Sequence, residues 1–236
     1  MFFTVKLRRI IAVVLAAVVA ILAAILIFRR ADDRAQTISA QGAYTLVIDP
    51  GHGGIDGGAI AADGTKESAI NLAIAQKMAA LAGLYGQKYV LTRDSEESKV
   101  TLKEYSEHDD LVRRAELANS VPGAVLISVH QNNYPTSQPT GAQVMYAAAD
   151  GSKELGEKAQ DYLVGFADPQ NRRVATPAPD KLLLTRSVRC PAILAECGFM
   201  SNPGEAARLS TNEYQLKLAC ALTAAYLGFA GGGALT

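Results

Sequence analysis

The chain has 236 residues, 49% of them hydrophobic and 19% charged, with 20 glycines. This composition excludes collagen-like, disordered and polytopic membrane classes and fits one globular domain plus a short extra segment. The formal charge of zero is unevenly spread: residues 1–30 hold five basic side chains and no acid, so residues 31–236 carry 18 basic and 23 acidic groups, net −5. An acidic body repels a phosphate backbone, which argues for no nucleic acid among its partners.

Residues 10–28, IIAVVLAAVVAILAAILIF, form an unbroken apolar run whose helical length of about 28 Å matches a hydrocarbon core. Lys6, Arg8 and Arg9 precede it, while Arg29, Arg30 and Arg34 are diluted by Asp32 and Asp33. The positive-inside bias therefore predicts an N-terminal transmembrane signal anchor over 1–30 with the body outside the cytoplasm. A cleaved signal peptide with secretion is the alternative. Residues 31–43 read as a linker reaching about 45 Å at full extension, which keeps the domain of residues 44–230 close to the membrane. Residues 231–236 read as a flexible tail.

Within the body, short β-rich runs at 45–49, 88–92, 124–129, 142–147 and 192–196 alternate with helical patterns at 66–84, 111–119, 153–166 and 212–229. Runs apolar on both faces suit a covered sheet, and the alternation predicts a single α/β domain with a mostly parallel, twisted sheet flanked by helices. The breaker-rich stretches 135–140 and 167–180 read as surface loops, the second bordering a substrate groove. Cys190, Cys197 and Cys220 are odd in number and lack paired metal spacing, so they read as free thiols.

Chemistry-bearing residues fall at the ends of these elements. His52 lies in DPGHGGIDGGA (49–59), a glycine-rich loop directly after the first strand. Its order is neither G-x-G-x-x-G nor a Walker loop. Glu67 opens the first helix, three residues before Ile70 on its apolar face, where a carboxylate needs either a partner or the helix dipole. His130 emerges at the end of AVLISVH, with QNN following. Glu196 ends the apolar strand AILAE, where burial raises its proton affinity, unless it pairs with an arginine such as Arg93 or Arg113. His108 sits among acids as a solvated loop residue. Two histidines and a glutamate can hold Zn²⁺ with one open position while a second glutamate acts on water. A structural role for each of these residues stays open on spacing alone.

The strings LVIDPGHGGIDGGA, KESAINLAIAQKM, LTRD, LISVHQN, GAQVMY and AILAECGFMSNPGEAARLS closely resemble the zinc-dependent N-acetylmuramoyl-L-alanine amidases of the Amidase_3 type, over about residues 44–229. The resemblance implies a six-stranded sheet, His52, Glu67 and His130 as zinc ligands, and Glu196 as the catalytic glutamate. It implies hydrolysis of the amide between the lactyl group of N-acetylmuramic acid and L-alanine in peptidoglycan. Glu196 would accept the proton of the attacking water and return it to the leaving nitrogen. The anchor, EYSEHDDLVRRAELAN and LLLTR are most similar to the CwlD-type spore-cortex amidases, whose action precedes muramic-δ-lactam formation and some of whose relatives need an activating lipoprotein. A general cell-wall amidase, a zinc peptidase and a catalytically silent peptidoglycan-binding protein of the same fold are the competing readings. Glu107 and His108 stand where relatives tend to be basic.

Overall fold

The computed structural model describes residues 44–97 and 101–232; the expected anchor and linker, and the last four residues of the tail, lie outside this range. Strand β1 (Thr45–Pro50) is buried from Leu46 onward because both of its faces are covered. Around it and β2 (Tyr89–Leu91), β3 (Ala124–Asn132), β4 (Gln143–Tyr146), β5 (Thr176–Pro177) and β6 (Ala192–Phe199) form one six-stranded sheet in the order β2-β1-β3-β6-β4-β5. The β1–β2, β1–β3, β3–β6 and β4–β5 pairs are parallel, and only β4 on β6 is antiparallel. β5 lies inside the stretch read as loop, since a two-residue Thr-Pro strand leaves no periodicity to detect. β3 and β6 also run three residues further than the sequence pattern suggested.

Helices α1 (Glu67–Leu84), α2 (Glu107–Ser120), α3 (Ser152–Tyr162), α4 (Leu183–Ser187), α5 (Pro203–Leu209) and α6 (Asn212–Gly232) flank the sheet. On one face Ile70, Ile74 and Met78 of α1 and Leu218, Leu222 and Tyr226 of α6 pack on Leu46, Ile48, Ile127 and Ile193. Each such large side chain, fully withdrawn from water, contributes about 2 kcal/mol. On the other face a smaller cluster joins Ala115 and Ala118 of α2 and Leu184 of α4 to Val47 and Leu126.

Two boundaries move from expectation. α2 starts at Glu107 because the Ser106 side chain accepts from the Asp109 amide and three acids occupy the first turn, a capped start that apolar periodicity, beginning at Leu111, misses. His108 is exposed as expected, but on this helix and not in a loop. α6 continues to Gly232, taking the first two residues of the expected tail. All three cysteines are free thiols; Cys197 is buried, the other two half-buried.

Candidate metal centre

The site forms where β1, β3 and β6 end on one edge of the sheet. His52 follows β1 in a left-handed conformation, with φ of 59°, the one non-glycine residue with positive φ among the described residues. Such strain persists only where surroundings over-determine it, and here two arginines do so. Arg93 donates to the carbonyls of Pro50, Gly51 and Ser68, and Arg114 to those of Pro50 (2.8 Å) and His52 (2.6 Å). Arg114 is itself fixed by the buried Asp49 carboxylate at 2.8 Å, which also accepts from Ser128 and Thr92. Burial opposes the charge on Asp49, but Arg114 and the two hydroxyls hold its carboxyl below the ordinary range.

Glu67, 3% exposed at the head of α1, reaches into the same corner. Its Oε1 lies 3.3 Å from His52 Nε2 and 3.2 Å from His130 Nδ1, and it accepts from the Gln131 amide at 2.9 Å. Its Oε2 accepts from the Ala59 amide at 3.0 Å. Burial works against ionisation, but the hydrogen bonds and charges of His130 and His52 prevail and hold the carboxyl well below its usual value. His52 Nδ1 is held by Asp56 Oδ2 at 2.7 Å, and Asp56 is anchored by the Gly58 amide and the Tyr105 hydroxyl. Desolvation would lower the basicity of His52, yet Asp56 and Glu67 push its pKa up to about 10. The cluster is thus built to stabilise positive charge.

The two imidazoles are 5.0 Å apart, centroid to centroid, and edge-to-face at 76°. One donor atom from each of His52, Glu67 and His130 lies within 4.8 Å of the others. Two imidazoles and a buried carboxylate converging in this way fit the donor set of a hydrolytic Zn²⁺ site, and Asp56 is the outer carboxylate that fixes the ring of such a ligand.

Glu196 sits beside them, paired in register with His130 across β3–β6. Its Oε2 is shielded from solvent and has no hydrogen-bond partner. Desolvation raises its pKa; His130 and His52 pull it down, Glu67 pushes it up, and the outcome is about 7. The pairing with Arg93 or Arg113 does not occur: Arg93 bonds Glu96 and Arg113 bonds Asp110. A cavity of about 250 Å³ is lined by His52, His130 and Glu196 together with Tyr105, Glu107 and residues 181–184. The stretch 167–180 does not line it; residues 168 and 170–173 border a separate open groove of about 740 Å³.

All four side chains expected at the site therefore meet there. Asp56, Asp49, Arg114 and Tyr105 were not foreseen. Asp56 was within reach of the sequence, as an acid four residues after His52 in a glycine-rich loop; Arg114, 62 residues from the carbonyl it grips, carries no local signal.

A desolvated, unpaired carboxyl facing a cation-stabilising cluster is the equipment of a hydrolase that activates water. The chain belongs to the Amidase_3 family, N-acetylmuramoyl-L-alanine amidases, whose profile matches residues 46–226. The germination-specific N-acetylmuramoyl-L-alanine amidase of Bacillus subtilis is 31% identical over 182 residues, 75% of this chain and 76% of that protein. N-acetylmuramoyl-L-alanine amidase LytC of the same organism is 31% identical, over 75% of this chain but 34% of its own length. Among solved structures, the CwlD amidase from Clostridioides difficile in complex with the GerS lipoprotein superposes with a TM-score of 0.73 at 33% identity, covering 79% of this chain and 98% of that one.

Proposed function

We propose that the protein uses Zn²⁺, held by His52, Glu67 and His130, to hydrolyse the amide between the lactyl group of N-acetylmuramic acid and L-alanine in peptidoglycan. The observation that carries this reading is Glu196 Oε2, a shielded carboxyl oxygen with no partner beside three convergent donors. A bound zinc ion would supply Lewis-acid polarisation of the scissile carbonyl and acidify water. Glu196 takes the proton of the attacking water and delivers it to the departing L-alanine nitrogen, without which an amide cannot leave. A pKa of about 7 suits both transfers. Asp56 holds the His52 ring, and Arg93 and Arg114 hold the strained loop that carries it. A binding module of the same fold has no use for a desolvated carboxylate without a partner.

The CwlD-type and germination-specific relatives support a role in spore-cortex maturation, with removal of the stem peptide preceding muramic-δ-lactam formation. The GerS complex of that relative supports an activating lipoprotein as a partner. The apolar run at 10–28 with its basic flank supports a membrane anchor with the catalytic domain outside the cytoplasm; protease accessibility in intact cells tests it.

The activity is tested by incubating the full chain, with and without added Zn²⁺, with intact sacculi and analysing products by mass spectrometry. Amidase action yields peptides with a free L-alanine amino terminus and glycan with an intact lactyl acid. Glu196→Gln should retain zinc and lose about 10²- to 10⁴-fold in rate. Cleavage between amino acids, or normal turnover by Glu196→Gln, would refute the assignment.

A further inference from the structure

The antiparallel seam between β4 and β6 sets Gln143 directly opposite Glu196, as β3 sets His130 opposite it on the other side. Residues paired across strands project from the same face of the sheet. Gln143 therefore extends the row His130, Glu196, Gln143 by one strand, away from the metal cluster. Its amide is oriented by Arg173, whose Nη1 donates to Gln143 Oε1 at 2.9 Å. Because a guanidinium can only donate, this bond settles which end of the amide faces Arg173.

Arg173 is fixed in turn. Its Nε donates to the Thr140 carbonyl at 2.8 Å, and its guanidinium lies 4.8 Å from the centroid of the buried Phe199 ring. Among the described residues it has no carboxylate partner. Neither does Arg172, which donates only to backbone carbonyls. In contrast, Arg208, which lines the same groove, is already matched by Glu205 at 2.9 Å and Asp168 at 3.7 Å. Glu205 is spent further on the Gly141 and Phe199 amides. Two uncompensated guanidinium charges thus border an open groove of a domain that is otherwise net acidic. One of them is a single side chain away from the residue beside Glu196.

Resting on the amidase reading above, we infer that this groove is a stem-peptide subsite, in which Arg173, presented by Gln143, pairs with a free carboxylate near the amino terminus of the peptide being released. The separation from Glu196 is one strand spacing plus a glutamine side chain, a span crossed by about two or three residues of extended peptide. An arginine pre-ordered by a carbonyl, an amide oxygen and an aromatic face loses little freedom on forming a charge-assisted bond. That favours recognition of a carboxylate over its neutral amide.

The test uses the full-length, zinc-loaded protein and two muropeptides that differ only at the second stem residue, one with a free carboxylate and one with a carboxamide. The wild type should prefer the carboxylate form by about 10-fold or more in kcat/KM, mainly through KM. R173Q should erase that preference while still turning over the carboxamide substrate, and R173K should keep part of it. A merely structural role for Arg173 would lower both substrates together. If R173Q has a depressed Tm, Q143E replaces it: a carboxylate at the bridging oxygen keeps the hydrogen bond, cancels the guanidinium charge and should erase the preference too. A wild type without preference, or a preference that survives R173Q or Q143E, overturns the subsite. A wild type that loads zinc yet cleaves neither muropeptide overturns the amidase reading itself.

Discussion

A methyl group at Gly51 would strike the candidate metal centre without replacing any of the proposed ligands. A Cβ built there lies 2.2 Å from both Cε1 and Nε2 of His130 and 2.6 Å from its Nδ1, against about 3.4 Å for ordinary contact. The φ of Gly51 is not positive, so alanine meets no backbone penalty of its own. The backbone cannot retreat either: the Gly51 carbonyl accepts from Arg93 and Asn71, and its amide donates to Val129. The ring must therefore move by about 1.2 Å, several times the roughly 0.2 Å tolerance of a metal–ligand distance. Gly51→Ala should cost about 1–3 kcal/mol through overpacking, weaken zinc binding about 100-fold and lower kcat/KM by at least that factor. Gly83→Ala is the control: its Cβ would meet only Tyr89 Cε1 at 3.7 Å within α1, so stability should rise by about 0.5–1 kcal/mol with zinc binding unchanged. Competition with a chromophoric chelator and thermal melts read both effects. One zinc per chain at wild-type affinity in Gly51→Ala would refute the placement of His130.

Asp56→Asn should leave the fold intact and weaken zinc about 10- to 100-fold, because His52 Nδ1 loses its anionic partner; titration calorimetry measures it, and unchanged affinity would show that Asp56 does not orient the ring. Since the Glu196 pKa is raised to about 7, the proposed base is protonated and idle at lower pH, and kcat/KM should rise along an acid limb whose midpoint lies above the ordinary carboxylate range and disappears in Glu196→Gln. Asp49→Asn should cost about 3 kcal/mol in urea unfolding, the lower end for breaking a buried ion pair, because Arg114 keeps Asp110 at 2.7 Å. The folded-state pKa of Asp49 is depressed, so its stabilisation is present above the unfolded value near 4 and fades as pH falls towards the folded one. A flat difference between wild type and Asp49→Asn across that window would contradict this.

The α/β alternation was legible because hydrophobic periodicity is local, and it located five of the six strands and the four longest helices. The elements it missed, β5, α4 and α5, have two to seven residues, too short for a period to repeat. The buried placement of Glu67 was also legible, as a charge on the apolar stripe of α1. The proposed metal-ligand set was suggested by residue type and carried by family resemblance, since 78 residues separate His52 from His130.

What the chain alone determined is its alternating architecture, because that depends on residue type and short-range spacing; it also supplied the four candidate site residues, whose convergence no spacing displays. The tertiary structure decided how those groups are poised. Asp56 turns His52, Arg93 and Arg114 hold its strained loop, Gly51 leaves room for His130, and Gln143 comes to stand opposite Glu196. Each of these depends on strand register and on contacts between distant segments, where the free energy lies in geometry and desolvation that no stretch of sequence displays.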